Sequence, residues 1–227
     1  GDVVMFIENG LTFEADPRRG QKTGHFLDQR DNRLRLRSLC PASKVLDVFA
    51  CTGGFGVNAA LGGARLVHSV NSSAHALAAC RRNMAHNRGE AAVRRCRHIT
   101  TVGDAFATMA HLAEGHERYD VVVLDPPSFA SRRTEAAGAL RAYAGLTRLA
   151  LRLLEPGGAL VQASCSSQVG ESDFFSAVHA AAGECSVRLV ELERTGAPFD
   201  HPVTFLEGSY LKAMFARVQP DRKLQGG

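Results

Sequence analysis

Apolar residues in this chain come in short runs set off by turn residues, alternating with longer stretches of helical spacing. From Lys44 onward the runs Val45–Phe49, Arg65–Val70, His98–Val102, Tyr119–Leu124 and Gly158–Ala163 predict buried strands. The intervening pattern predicts helices over Phe55–Leu61, Ala74–Asn87, Ala105–Glu114, Glu135–Leu154 and Glu171–Ala182. Glu155-Pro156-Gly157-Gly158 predicts a stop between the longest helix and its following strand. Ser186–Glu193 and Ser209–Val218 predict a last pair of strands, joined through Gly196, Pro198 and Pro202. Strand and helix in alternation imply an α/β fold, a doubly wound, mostly parallel seven-stranded sheet whose ligands belong at the carboxyl ends of its strands.

Upstream, Val3–Ile7 and Leu11–Ala15 flank Asn9-Gly10, a preferred pair for a two-residue hairpin turn. Gly20 and Gly24 bracket a polar loop, and a helix is expected from His25 or Phe26 through Leu27, Leu34 and Leu39, ended by Pro41 and Ser43. The expected organisation is an N-terminal hairpin, covering loop and helix over residues 1–40, a Rossmann-like domain over 41–219 and a flexible tail over 220–227.

Composition narrows the class. With 45% apolar and 22% charged residues the chain reads as a folded soluble protein. Its six cysteines show no C-x-x-C pair, which argues against a zinc cluster or a disulfide scaffold and for a reducing, cytoplasmic compartment. No apolar stretch reaches transmembrane length, so no membrane partner is expected. The net charge of +4 is small, but Arg18, Arg19, Lys22, Arg30, Arg33, Arg35 and Arg37 form one basic cluster and Arg81, Arg82, Arg88, Arg94, Arg95 and Arg97 another. Either cluster reads equally as a solvated face or as a surface for RNA. A chain beginning at Gly1 also reads as a processed or excised piece.

The candidate chemistry gathers at predicted strand ends. In KVLDVFACTGGFG, Lys44–Gly56, an apolar run ends in small residues and three glycines, which lets backbone approach a ligand. Asp47 sits inside the run, so the stretch is a poor dinucleotide fingerprint and better suits a nucleoside cofactor without a pyrophosphate. Asn71 stands where an acid would hold a ribose diol, and Asp104 reads either as an acceptor for an exocyclic amine or as a helix cap. Asp125-Pro126-Pro127-Ser128-Phe129 makes a rigid edge after a hydrophobic strand. Cys165 ends the next strand; it reads as a small buried residue or, opposite Asp125, as a nucleophile toward an electron-poor ring.

The stretches ENGLTFEAD, GQKTGHFLDQRDNR, DVFACTGGFG, DPPSFA, the SCS around Cys165, DHPVTF and EGSYLK together resemble the class I S-adenosylmethionine-dependent methyltransferases that modify carbon 5 of cytosine in 23S ribosomal RNA, the large-subunit type I family. The resemblance runs through nearly the whole chain and implies the roles that follow. Gln21, Lys22, Thr23, Phe26, Asp28 and Arg30 would cover S-adenosyl-L-methionine, with Asp47, Phe49, Cys51, Gly53 and Gly54 beneath it. Asn71 and Ser72 would face its ribose, and Gly103, Asp104 and Ala105 its adenine. Asp125, also expected at the cofactor, and Pro126 would meet the cytosine, and Cys165 would be the covalent nucleophile. Two departures stand out: Asn71 replaces the expected aspartate, and the family's small PUA-type RNA-binding domain is absent from this chain. No residue identifies itself as the proton-abstracting base, and His201 is not assigned to that role.

The leading expectation is therefore an RNA cytosine-5 methyltransferase with ribosomal RNA as partner and no DNA, membrane or metal; monomer and homodimer are both open. Two alternatives remain at this point: a methyltransferase acting on a small heteroaromatic or amine substrate, and an RNA-binding module with a decayed cofactor site.

Overall fold

The computed structural model describes residues 3–18, 20, 24–198, 200 and 210–220. The strands β1 (Val4–Glu8) and β2 (Leu11–Ala15) open the chain, followed by α1 (Arg30–Leu36), β3 (Lys44–Val48), α2 (Gly54–Leu61), β4 (Leu66–Asn71) and α3 (Ala74–His86). Next come α4 (Ala91–Arg95), β5 (Arg97–Val102), α5 (Ala105–Glu114), β6 (Tyr119–Leu124) and α6 (Ala136–Leu153). The last elements are β7 (Leu154–Ser164), α7 (Glu171–Glu184), β8 (Val187–Thr195) and β9 (Lys212–Pro220). One seven-stranded sheet has the order β5-β4-β3-β6-β7-β9-β8, with β9 antiparallel to both β7 and β8, and the opening hairpin is separate from it. This is the mostly parallel architecture expected from the alternation of strands and helices.

The chain divides into two compact units, Gly1–Thr108 and Met109–Gly227. In the first, Asn9 (φ 51°) and Gly10 (φ 80°) are both left-handed, as a two-residue hairpin turn of matching twist demands. The backbone of β2 is then met by two asparagines of α3 and its end. Asn87 accepts from the Thr12 amide at 2.8 Å and donates to its carbonyl at 2.7 Å, while Asn83 accepts from the Glu14 amide at 2.8 Å. Side-chain amides thus satisfy backbone groups that a third strand would otherwise pair.

Beneath the hairpin, Glu8 and Arg33 are 4% and 3% exposed, and the Arg33 guanidinium grips the Glu8 carboxylate with two hydrogen bonds. Arg33 also donates to the Phe26 carbonyl at 2.9 Å. That carbonyl takes a side-chain donor, and the helix expected from residue 25 or 26 to Leu39 instead divides into a 3-10 turn at Leu27–Gln29, α1, and a 3-10 turn at Arg37–Leu39. The helix α4 was not legible in the sequence, because it is a single turn that buries only Val93.

In the second unit, Val121–Leu124 of β6 are fully buried, the expected continuous apolar run of a central parallel strand. The Glu155–Gly158 stop lies within β7 rather than before it. Leu154 already pairs with Tyr119, while the next partners are Val121 and Ala159, so the proline and glycines bulge out of the ladder around a left-handed Gly157. Tyr143 of α6 packs against Phe129 and Phe174, each with ring centroids 5.1 Å away, and anchors the core on this side of the unit.

Burial alone would raise the Glu8 carboxyl, but hydrogen bonds from His25 and Arg33 bring it down to about 2 from its ordinary 4.5. A carboxyl depressed in the folded state stabilises above its unfolded value, so this contribution is complete above pH 4.5 and is lost as pH falls toward 2. Burial likewise lowers His25, whose neutral ring favours the folded state at neutral pH. Arg33→Met, which strands Glu8 in the interior, should lower stability by about 3–5 kcal/mol at pH 7. Urea unfolding followed by circular dichroism at pH 7 and pH 4 checks both the loss and its expected reduction in acid.

Candidate active site

In the first unit, the turn between β3 and α2 is a chain of left-handed residues: Phe49 (φ 63°), Cys51 (φ 48°) and Gly53 (φ 84°). Two of these are not glycine, a strain that the surrounding contacts must hold. A Cβ on Gly53 would strike the Cys80 thiol, so only glycine fits at that point. Thr52 is fixed from two directions: its hydroxyl lies 3.3 Å from the Gly24 carbonyl, and its own carbonyl accepts from Asn83 at 2.9 Å.

Above this turn is a cleft whose walls include Asp16, Gly20, Gly24, Cys51, Thr52 and Asn71. Gly20 and Gly24 leave bare backbone there, since a Cβ on either would meet the Asp16 main chain. Glu14 and Arg82 close the far side as an ion pair. Asn71, at the end of β4, uses its Oδ1 to accept from the Ser73 amide at 2.8 Å, which orients its Nδ2 as a donor. Asp104 accepts from the Ala107 amide at 2.9 Å and so caps α5. Asp47 is 1% exposed in β3, with a carboxylate oxygen 3.1 Å from where a Cβ on Gly56 would lie.

In the second unit, the site is built where β6 and β7 end. The thiol of Cys165, half-buried, lies 3.7 Å from the Pro126 carbonyl, so the cysteine and the double-proline edge share one rim. The loops are tied together below them: the Ser128 and Ser166 hydroxyls are 2.8 Å apart, and Ser166 lies 3.2 Å from the Tyr143 hydroxyl. The Ser164 hydroxyl donates to Tyr143 at 2.9 Å. Both neighbours of Cys165 therefore hang from one buried phenol, whose pKa is raised by burial. Lys212, at the start of β9, is 4% exposed and donates to the carbonyls of Ser166 at 2.7 Å and Val169 at 2.6 Å.

A family model of S-adenosylmethionine-dependent methyltransferases matches residues 2–217. The chain belongs to that family. The chain is 44% identical over 218 residues to the ribosomal RNA large subunit methyltransferase of Deinococcus radiodurans, covering 96% of this chain and 52% of the relative. It is 39% identical to the ribosomal RNA large subunit methyltransferase I of Shewanella denitrificans, covering 95% of this chain and 54% of the relative. The chain thus spans about half the length of the curated relatives it matches. The crystal structure of SMU.776, assigned as a methyltransferase and complexed with SAH, superimposes with a TM-score of 0.83 at 27% identity over 95% of this chain and 56% of that one.

S-adenosylmethionine is the cofactor of this family, and the cleft fits it: bare glycine backbone, a strained turn at a strand end and an amide at Asn71 form a cradle that side chains would fill. Of the residues expected at the cofactor, Cys51 and Asn71 line this cleft. Gly53 shapes the turn below it, and Gly54 lies against Arg33 and His25. Gln21, Lys22 and Thr23 lie outside the described residues, as does His201. Phe26, Asp28 and Arg30 fall at the start of the helical segment, Arg30 bonding Asp31 at 3.2 Å. Ser72 is exposed just after β4, and Gly103 donates its amide to the Asn71 carbonyl at 3.1 Å, with Ala105 opening α5. Asp16 and Thr52 had no assigned role, although Asp16 ends the quoted ENGLTFEAD stretch. Tyr143, Ser166 and Lys212 had none either, and only their neighbours' chemistry pointed toward them.

Because Asn71 can turn only an amide toward a diol, Asn71→Asp should tighten S-adenosylmethionine binding by roughly tenfold, the worth of one charge-assisted hydrogen bond. Isothermal titration calorimetry of the two proteins measures this directly.

Proposed function

We propose that this chain methylates carbon 5 of cytosine in 23S ribosomal RNA through a covalent adduct on Cys165. The observation that carries the reading is the thiol of Cys165 beside the Pro126 carbonyl, held by serines on either side. The likeness to relatives named as ribosomal RNA large subunit methyltransferases supports RNA as the substrate and a cytoplasmic site of action.

In this reading the Cys165 thiolate adds to carbon 6 of the ring, forming a carbon–sulfur bond, while Asp125 delivers a proton to the ring nitrogen so that the electron pair is not stranded there. Carbon 5 becomes nucleophilic by this addition. S-adenosylmethionine, when bound, supplies an electrophilic methyl group. A base then takes the proton from carbon 5, the carbon 5–carbon 6 double bond re-forms, the cysteine leaves as thiolate and the ring nitrogen returns its proton to Asp125. Pro126 and Pro127 keep the Asp125 edge rigid, which limits the orientations a planar ring adopts against it. The cofactor is assigned to Gln21, Lys22, Thr23, Phe26, Asp28, Arg30, Asp47, Phe49, Cys51, Gly53, Gly54, Asn71, Ser72, Gly103, Asp104 and Ala105. Arginines such as Arg81 and Arg88 are available for phosphate contacts.

RNA carrying 5-fluorocytosine should trap the protein as a gel-stable adduct, because fluorine at carbon 5 cannot be removed as a proton. Cys165→Ala should abolish the adduct and reduce turnover by at least about a hundredfold. Retention of wild-type turnover by Cys165→Ala would sink the covalent scheme. RNA binding by phosphate contacts should also weaken steeply between low and physiological salt.

A further inference from the structure

Lys212 is the one described lysine of the second unit, and its place is unusual for an ammonium. Among the described residues it forms no salt bridge; its hydrogen bonds are to two main-chain carbonyls. Burying a cation without a carboxylate carries a desolvation penalty, which an apolar residue of the same length would avoid. Burial accordingly lowers its pKa, while the nearby charges of Cys165 and Glu171 act the other way.

Its position is set by the sheet. Lys212 is the partner of Ser164 across β7 and β9, so it enters the ladder opposite the residue just before Cys165. Its side chain then reaches the carbonyl of Ser166, just after the cysteine, and that of Val169. Lys212 therefore meets the chain on both sides of Cys165, its backbone pairing before the cysteine and its ammonium bonding after it. The other titratable groups facing this region are the Tyr143 hydroxyl from α6 and Glu171 in the first turn of α7, and Asp125 directly precedes Pro126, whose carbonyl the Cys165 thiol meets. Tyr143 is held neutral by burial, and Glu171 is exposed, where solvent screens it.

We propose that Lys212 is a positioning residue for the nucleophile: its buried charge favours the Cys165 thiolate, and its two carbonyl bonds fix the turn that aims the sulfur. The proposal rests on Cys165 as the nucleophile of the reaction described above, and it adds what makes that thiol reactive. A purely structural lysine would hold the turn without changing the acidity of the thiol.

The two roles separate in the pH dependence of Cys165 alkylation by iodoacetamide, where thiolate displaces iodide and needs neither RNA nor cofactor. Peptide-resolved mass spectrometry follows Cys165 on the intact chain, with Cys185 as an internal reference. In Lys212→Met the apparent pKa of Cys165 should rise by about one unit, so that its alkylation at pH 7 slows roughly tenfold while Cys185 is unchanged. Lys212→Gln keeps a donor for the carbonyls but no charge; it should show the same rise, and it carries the test alone if Lys212→Met does not fold. Profiles for Cys165 that superimpose on the wild type in a folded variant overturn the proposal. Full turnover by Cys165→Ala would remove the covalent mechanism, a result distinct from the alkylation titration.

Discussion

A single side-chain amide, that of Asn83, connects two pieces of backbone that have no other reason to meet. Its oxygen accepts from Glu14 in β2 and its nitrogen donates to the Thr52 carbonyl in the strained turn after β3. The residue is fully buried, so neither bond is exchanged for water, and losing either would leave a main-chain group unsatisfied in the interior. The turn cannot relax without pulling on the hairpin, and the hairpin cannot drift without releasing the turn. Left-handed Phe49 and Cys51 are tolerated within that frame. The same logic extends to Arg33 and Glu8, which seal the underside of the hairpin, and to the cleft between Asp16 and Asn71.

The second unit solves a different problem. The proposed nucleophile must be reachable, yet a side chain on an exposed loop samples many rotamers. Here the thiol remains accessible while the atoms on either side of it are tied down: Ser164 and Ser166 to Tyr143, and the Ser166 carbonyl to Lys212. Ser128 extends that network to the double-proline segment. Rigidity is supplied from below, through buried hydroxyls, and leaves the rim open. This is preorganisation in the ordinary sense: the entropy of aiming the group is lost on folding rather than on encounter with a substrate.

Much of this was legible in the sequence, for identifiable reasons. The strand Tyr119–Leu124 and the helix Ala105–Glu114 have the expected bounds, because long apolar or periodic runs bounded by turn residues leave little choice. The hairpin around Asn9-Gly10 was equally plain, since two consecutive left-handed residues suit few other pairs. What escaped was whatever depends on partners far away in the chain. A proline and two glycines predict an interruption but not that Leu154 has already begun pairing, and one helical turn such as Ala91–Arg95 carries too few buried positions to announce itself. Asp104 illustrates the same limit in the site, because a capping aspartate and a ligand acceptor look alike in sequence, and only the structure shows the Ala107 amide on one of its oxygens. Lys212 lay within a recognised stretch, yet only three dimensions bring it to the turn after Cys165.

The unequal burial of the thiols also governs how this protein ages in air. Oxidation proceeds through the thiolate, and burial pushes Cys40 and Cys80 up to about 12 and Cys96 up to about 11. Those three are thereby shielded from peroxide. Cys51, Cys165 and Cys185 are partly exposed, the first on the wall of the cleft and the second at the proposed point of attack. Oxidation is therefore expected at the proposed site before the buried core: a stock exposed to peroxide should keep its circular dichroism spectrum while the chemistry proposed for Cys165 is lost, and a reductant should restore it as long as oxidation had stopped at the sulfenic acid.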